Sequence, residues 1–176
     1  MAGKRRIALL TTGGTIEKTY NESDGTLANQ RSVLDIMLGS IVLDGVSIER
    51  VPVMNKDSLE MSGADHARIA AVAGLYEDTH DGVVIVHGTD RLQFTGEALV
   101  AALGERPRVP VVLTGAMRPF ELRSTDALQN LTEALVVVQV ISPGVYVVMH
   151  NQVLRFPGVF KDGRNQRFMH RDRLPK

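Results

Sequence analysis

The chain has 176 residues, 44% of them hydrophobic and 23% charged, and its 20 basic side chains balance 20 acidic ones. This length and composition are typical of one globular domain, residues 1–176, and a neutral chain has no long-range attraction for nucleic acid. Cysteine is absent, which excludes thiol nucleophiles, disulfides and thiolate metal sites.

The first predicted strand begins at Ile7, directly after the basic residues 4–6, and runs into a segment rich in threonine and glycine. Its apolar part is too short for a secretory signal, and no apolar run in the chain has the length needed to cross a bilayer. We therefore expect a cytoplasmic protein without a membrane partner. Residues 17–29 are polar and predict a surface loop, and a short helical run follows around residues 32–38.

The next part of the chain alternates between strand and helix patterns. Residues 46–53 predict a strand, and Pro52 places it at a sheet edge or near its own end. Ser62 stands three residues before an aspartate, as in a capping box at the start of a helix. For the following helix, Thr95 is a possible cap and Gly104 a stop signal. Apolar residues at helical spacing mark three helices: Ile69, Val72, Ala73 and Tyr76; Leu99, Val100 and Leu103; Leu128, Leu131, Leu135 and Val138.

A further strand is predicted at residues 144–149. The remaining tail is basic, polar and without periodicity, so residues 161–176 are expected to be partly irregular. Strands that alternate with helices indicate crossover connections and a mainly parallel sheet. The predicted fold class is therefore α/β, with three layers in an α/β/α arrangement.

Three apolar, strand-like runs each end in a cluster of threonine and glycine. In chain order they read IALLTTGGT, VVIVHGTD and VPVVLTGAM. One such cluster is more often a plain strand-to-loop turn, because glycine permits backbone angles that other residues avoid. Ligands bind beyond the carboxyl ends of parallel strands, where loops from several strands converge. The repetition therefore predicts one pocket with hydroxyl groups and backbone amides suited to acyl transfer.

Other kinds of site are less well supported. TTGGTIEK has neither the G-x-G-x-x-G spacing nor a Walker lysine followed by serine or threonine, and the five histidines lack metal-ligand spacing. No metal or other cofactor is expected. His87, at a strand end, is either a general base or, more often in such a place, a buried structural histidine. The arginines of the tail are more typical of a solvated end than of a polyanion site.

The segments LLTTGGTIEKTY, GVVIVHGTDRLQFTGEAL, VPVVLTGAMRP and GVYVVMHNQVL resemble the bacterial-type L-asparaginases in order and spacing. GGTI, HGTD and GAMRP together are highly specific, and the similarity covers nearly all of the chain. It points to the short, single-domain form of the family, because most members continue into a smaller C-terminal lobe. The resemblance implies a fold like the asparaginase N-terminal domain, hydrolysis of asparagine to aspartate and ammonia with little or no glutaminase activity, and a homodimer or homotetramer.

Residue by residue, the resemblance assigns Thr15 in GGTI as the nucleophile that forms an acyl-enzyme, and Tyr20 as the tyrosine of the closing loop. In HGTD, Thr89 would lie near the reacting amide and Asp90 would hold the α-ammonium group. Ungapped counting through the divergent RFPGVF segment identifies Lys161 with the family lysine; by default it would be an exposed loop charge. The implied substrate-binding residues are Gly14, Asn55, Asp57, Ser58, Gly88, Thr89, Asp90 and Ala116.

The segment after the strand at residues 46–53 departs from the family pattern. Asn55 stands where many members have an α-carboxylate-binding serine, and Lys56 follows it, although the acid is kept at Asp57 and Ser58 is a substitute serine. Two alternatives to an asparaginase stay open: a non-catalytic amino-acid-binding or sensor relative, and an asparaginase-like component of a transfer-RNA amidotransferase.

Overall fold

The computed structural model describes residues 3–28 and 33–173. Their secondary structure begins with strands β1 (Arg5–Gly13), β2 (Thr19–Asn21) and β3 (Thr26–Ala28), helix α1 (Leu34–Gly39), strand β4 (Val46–Lys56) and helix α2 (Gly63–Gly74). It continues with β5 (Gly82–Val86), α3 (Leu92–Leu103), β6 (Pro110–Thr114), α4 (Ala127–Val140), β7 (Gly144–Met149), β8 (Gln152–Arg155), β9 (Val159–Asp162) and β10 (Arg167–His170). Short 3-10 turns lie at Thr15–Glu17, Ser58–Glu60 and Arg171–Arg173.

The central sheet has six strands in the order β4-β1-β5-β6-β7-β8. Every neighbouring pair is parallel except β7 and β8, which are antiparallel. The predicted α/β fold with a mainly parallel sheet is therefore confirmed. Strand β4, which contains Pro52, lies at the sheet edge, where a proline removes no necessary hydrogen bond.

Two apolar layers cover the faces of this sheet, because successive strand residues point to opposite sides. In β1, Ala8 and Leu10 pack with the buried side chains of α2 and α3, among them Ile69 and Leu99. Ile7 and Leu9 point to the other face, where the buried side chains of α1 and α4 include Leu34, Met37, Leu131 and Leu135. The three-layer arrangement follows from this alternation.

The helix ends follow the local signals, with one correction. Helix α2 starts with a capping box, in which the side chains of Ser62 and Asp65 bond to each other's backbone N–H. Helix α3 ends at Leu103, and the next residue, Gly104, is its C-cap with φ 79°. The prediction that Thr95 caps α3 is wrong: the helix starts at Leu92, and Thr95 is buried within it, where its hydroxyl bonds two histidines.

The two segments predicted to be irregular contain short hairpins. Strands β2 and β3 pair within the predicted loop at residues 17–29, and β9 pairs with β10 inside the tail. The tail strands β8 to β10 are four residues long each, too short for an alternation that stands out in the sequence. Their apolar residues Leu154, Val159 and Phe168 are buried in the core on the α2 and α3 side. Residues 29–32, at the junction of the predicted loop and the first predicted helix, lie outside the described residues.

None of the described helices has both the length and the apolar character needed to span a membrane.

Candidate active site

The order of the strands places a crevice at the ends of β1 and β5. The chain passes from β1 to β4 on one side, then returns to β5 on the other side of β1. Ligands bind at such a switch point, outside the carboxyl ends of the strands. The TTGGT segment follows β1 and the HGTD segment follows β5, so the topology brings the first two threonine-glycine clusters to this crevice.

Glycines allow the loops at this crevice to touch through their backbones. A Cβ atom on Gly14 would lie 2.4 Å from the backbone nitrogen of Gly88, and one on Gly88 would lie 2.6 Å from Ser58 Oγ. A Cβ atom on Gly115, in the third cluster, would lie 2.3 Å from the His87 carbonyl oxygen. Gly14 also has φ 87°, which other residues rarely adopt. The three clusters therefore meet at one place, as predicted.

Replacing Gly14 with alanine is expected to destabilise the protein by about 2–3 kcal/mol, because the new methyl group overlaps the Gly88 backbone and the residue has a positive φ. Urea denaturation followed by circular dichroism measures this effect. Gly163→Ala is the matched control, since a Cβ atom there has no neighbour within 4 Å. Equal stability of the two variants would contradict the close contact between the first two loops.

Lys161 lies beside the HGTD turn. Its Nζ atom donates to Thr89 Oγ1 at 2.8 Å and to Asp90 Oδ1 at 2.6 Å. Its side chain is only 11% exposed, which argues against the default interpretation as a free loop charge. The hydroxyl, the carboxylate and the amino group thus form one cluster at the end of β5.

Contacts of α3 with β9 and with the residues just before β9 hold Lys161 in this position. The Lys161 N–H donates to Gln93 Oε1 at 2.7 Å, and the Gly158 N–H donates to Glu97 Oε1 at 2.8 Å. Between these two bonds the ring of Phe156 packs on Gly96, where a Cβ atom would lie 2.2 Å from the ring. Gln93, Gly96 and Glu97 share one helix face because they are three and four residues apart. Sequence analysis missed this docking face; its only signal was the helical spacing of those residues.

Thr15 and Tyr20 lie on two adjacent short elements after β1. Thr15 opens a 3-10 turn directly after Gly14, and its side chain is half-buried. Tyr20 lies in β2 and is 57% exposed, and its backbone N–H donates to Glu121 Oε2 at 2.6 Å. That bond ties the β2–β3 hairpin to the loop after β6. The neighbouring Thr12 is fully buried, where its hydroxyl donates to the Val86 carbonyl, so it has a structural role.

The divergent segment at residues 55–58 covers the last two residues of β4 and the turn that follows, and its side chains contact different groups. Asp57 receives a bond from Lys18 Nζ at 2.6 Å and accepts the Leu59 N–H at 3.0 Å; the first bond is the main reason that its pKa is lowered. Ser58 is buried against Gly88, and its hydroxyl has no hydrogen-bond partner within residues 3–28 and 33–173.

Lys56 and Asn55 are the last two residues of β4. Lys56 Nζ binds the Asp65 carboxylate at 2.8 and 3.0 Å and is the main cause of the strongly lowered pKa of Asp65. Asn55 lines a hollow of about 240 Å³, together with Thr11, Glu17 and Arg50. The contact of Ser58 with Gly88 supports Ser58 as the substitute serine.

The third cluster is fixed by polar side chains that sequence analysis did not single out. Ala116 is fully buried, and the next two N–H groups, of Met117 and Arg118, each donate to the Asp126 carboxylate at 3.0 Å. Asp126 also accepts from His150 Nε2 at 2.6 Å, and Asn130 Nδ2 donates to the Gly115 carbonyl at 2.9 Å. Burial alone raises the pKa of Asp126, but the hydrogen bonds from Met117, His150 and Arg118 outweigh the effect of burial, and the net shift of the pKa is downward.

No three histidine, aspartate or glutamate side chains in the described part of the chain are grouped so that they could hold a metal ion. The acid–base groups at the crevice are instead paired with one another. The arrangement offers a hydroxyl at Thr15, a second hydroxyl at Thr89 that is bonded to an amine, and several backbone amides in adjoining turns. This set suits nucleophilic attack on a carbonyl carbon followed by proton transfer.

Known proteins are similar in sequence to most of this chain. An L-asparaginase from Thermococcus kodakarensis is 34% identical over 149 residues, which are 85% of this chain and 45% of that protein. A component of the glutamyl-tRNA(Gln) amidotransferase from Thermoplasma acidophilum is 35% identical over 133 residues, 76% of this chain and 32% of that protein. The chain therefore spans less than half the length of either relative.

Solved structures of L-asparaginases are also similar to this chain. The thermostable L-asparaginase from Thermococcus kodakarensis superposes with a TM-score of 0.73 at 32% identity, over 97% of this chain and 57% of that chain. A probable cytoplasmic L-asparaginase from Campylobacter jejuni superposes with a TM-score of 0.73 at 33% identity, over 90% of this chain and 48% of that chain. The family model for the N-terminal domain of asparaginase matches residues 6–166. Because that match spans most of the sequence, this chain belongs to the asparaginase family.

Proposed function

We propose that the protein is an amidohydrolase that converts L-asparagine to aspartate and ammonia, with Thr15 as the nucleophile. The observation that carries the proposal is the pair of contacts from Lys161 Nζ, 2.8 Å to the Thr89 hydroxyl and 2.6 Å to Asp90. A relative that only binds an amino acid has no need for a mostly buried lysine that donates to a threonine hydroxyl. The cluster therefore favours catalysis over the amino-acid sensor considered from the sequence.

The reaction has two stages. Thr15 Oγ attacks the side-chain amide carbon, and collapse of the tetrahedral intermediate breaks the C–N bond, so that ammonia leaves with the proton that the hydroxyl gave up. Water then attacks the resulting ester, and aspartate leaves while Thr15 regains a proton. Thr89 and Lys161 together transfer these protons, since a lysine accepts a proton in its neutral form and donates one as the ammonium. Each backbone N–H that holds the negative oxygen contributes about 3 kcal/mol to the stabilisation of the transition state.

Recognition of the substrate's α-groups is assigned to the residues around Gly88. Asp90, whose side chain is 43% exposed, is the acceptor for the α-ammonium group. Ser58 is the donor for the α-carboxylate: its buried hydroxyl lies against Gly88, and an unsatisfied buried hydroxyl costs about 1–3 kcal/mol. A bound carboxylate would remove that cost.

The direct test is to incubate the purified protein with asparagine, without added metal or nucleotide, and to measure ammonia and aspartate. Equal amounts of both products support the proposal. The second candidate, one component of an amidotransferase, is favoured by the Thermoplasma relative that is 35% identical. Release of ammonia only in the presence of a partner protein and a charged transfer RNA would favour this second candidate.

We propose in addition that the protein is cytoplasmic and forms homo-oligomers. The crevice side of the molecule has exposed apolar side chains on the β2–β3 hairpin and the loop tied to it, at Tyr20, Leu27 and Leu122. A neighbouring copy that covers them would also close the crevice. Light scattering that shows a fully active monomer would refute this arrangement.

Glutamine is expected to be a much poorer substrate than asparagine. Its extra methylene moves the amide relative to groups that hold the α-ammonium and α-carboxylate, and a misplacement of about 1 Å can lower the rate on the order of a hundredfold. The measurement is kcat/KM for each amide in the same ammonia assay. Comparable values for the two amides would show that the α-groups are not held as proposed.

A further inference from the structure

Three buried polar side chains form a continuous chain of hydrogen bonds behind the crevice, and the proposed mechanism does not use them. His66 Nδ1 lies 2.7 Å from Thr95 Oγ1, which lies 2.7 Å from His87 Nε2. His87 Nδ1 in turn lies 2.7 Å from the Gly88 carbonyl oxygen. His87 and Thr95 are fully buried, and His66 is 7% exposed.

The bond to Gly88 fixes the direction of every hydrogen bond in this chain. A carbonyl oxygen only accepts, so the hydrogen between His87 and Gly88 belongs to Nδ1. In the neutral imidazole, Nε2 is then an acceptor, and the Thr95 hydroxyl donates to it. The Thr95 oxygen accepts in turn from the Nδ1–H of His66.

Burial keeps the His87 ring neutral at physiological pH. Loss of solvation is the main cause that lowers its pKa to about 4; the bond to Gly88 works in the opposite direction, and the nearby His66 lowers it further. Both ring nitrogens are bonded and the ring is inaccessible, so His87 has no free nitrogen to offer the substrate. These contacts exclude His87 as the general base considered from the sequence.

The same bond orients the peptide that leads into Thr89. In a trans peptide the C=O and N–H bonds point in opposite directions. The Gly88 carbonyl points at the buried imidazole, so the Thr89 N–H points away from it. Thr89 also holds the hydroxyl that Lys161 contacts. A rotation of this peptide would therefore move a backbone donor and the hydroxyl at once.

We infer that His87 is a positioning residue: its Nδ1–H fixes the Gly88–Thr89 peptide so that the Thr89 N–H and hydroxyl face the substrate amide, and Thr95 selects the required tautomer. This inference rests on the proposed amidohydrolase function, because it names what the peptide is positioned for. The class of ligand is a primary amide whose oxygen becomes negative in the transition state.

Two substitutions at His87 separate positioning from simple structural support. The amide nitrogen of asparagine, a donor, is as many bonds from Cα as Nδ1, and the amide oxygen of glutamine, an acceptor, is as many bonds from Cα as Nε2. His87→Asn therefore keeps a donor for the Gly88 carbonyl, whereas His87→Gln keeps only the contact with Thr95. Both variants lose the imidazole, so both are expected to lose stability by similar amounts in urea denaturation.

The expected result is a difference in kcat between two variants of similar stability. His87→Gln is expected to lower kcat about 10- to 100-fold more than His87→Asn, since misorienting one donor to the oxyanion costs up to that order, and KM is expected to change far less. A purely structural role predicts the same kcat for both variants, and that outcome would overturn the inference.

A measurement on the wild-type protein keeps the inference testable even if the variants fold poorly. Nitrogen-15 NMR of the His87 ring is expected to show a neutral imidazole with hydrogen on Nδ1 between pH 5 and pH 8, consistent with a pKa of about 4. Hydrogen on Nε2 instead, or protonation near pH 6.5, the ordinary histidine pKa, would overturn the inference. Wild-type protein that releases no ammonia would refute the proposed function and leave this tautomer test unaffected.

Discussion

Thr15→Ala is expected to lower kcat for asparagine by about 10⁴-fold or more, with little change in stability. The proposed acyl-enzyme cannot form without the Thr15 hydroxyl, and removal of a nucleophile has effects of this order in other hydrolases. The side chain is half-buried on a 3-10 turn, so truncation removes little packing. Ammonia release under substrate saturation measures the rate, and urea denaturation measures the stability.

Thr12→Val is the matched control, because Thr12 is a threonine three residues earlier, at the end of β1. Its hydroxyl is buried and donates to the Val86 carbonyl at 2.9 Å. Loss of that bond is expected to cost about 1 kcal/mol of stability and to leave kcat within a few-fold of wild type. Near-normal activity in Thr15→Ala would transfer the role of nucleophile to another hydroxyl, with Thr89 as the first candidate.

Lys161→Met is expected to lower kcat about a hundredfold or more, the usual effect of losing a general acid or base. Methionine keeps the apolar part of the side chain, while the bonds to Thr89 and Asp90 are lost. Asp90 is partly exposed, so the carboxylate left behind stays hydrated and the melting temperature should change little. Thr89→Val is expected to lower kcat as well, because it removes the hydroxyl between the lysine and the substrate.

Lys56→Met provides the comparison for Lys161. Lys56 is also a lysine that binds an aspartate, but its partner is Asp65 in the first turn of α2, whereas Lys161 binds Thr89 and Asp90 of the HGTD segment. The Lys56 variant is therefore expected to keep near-normal kcat. The reverse pattern, with loss of activity in Lys56→Met and normal activity in Lys161→Met, would show that the ungapped assignment of the family lysine is wrong.

The local pattern of the sequence was sufficient to predict the layers and the meeting of the three clusters. Apolar runs bounded by glycine marked β1, β5 and β6, and helical spacing marked α2, α3 and α4, because burial imposes a period of two on strands and 3.6 on helices. Parallel strands place their carboxyl ends on one edge, so the TTGGT, HGTD and TGAM segments had to converge. The family resemblance added residue roles at Thr15, Thr89, Asp90 and Lys161, which stay predictions until the variants are measured.

Only the tertiary structure decided how side chains from distant segments pair. The backbone of Lys161 binds Gln93, 68 residues earlier, and the β9–β10 hairpin that carries the lysine is made of strands too short for a readable period. Threonine is a common helix cap, yet Thr95 is buried within α3, where its hydroxyl bonds two histidines from other elements. A period reports which face of one segment is buried, and it carries no information about the partner across the interface. The pairing of Lys161 with Thr89, the tautomer of His87 and the pairing of Lys56 with Asp65 each depend on a partner in another segment. They could therefore be found only in the folded chain.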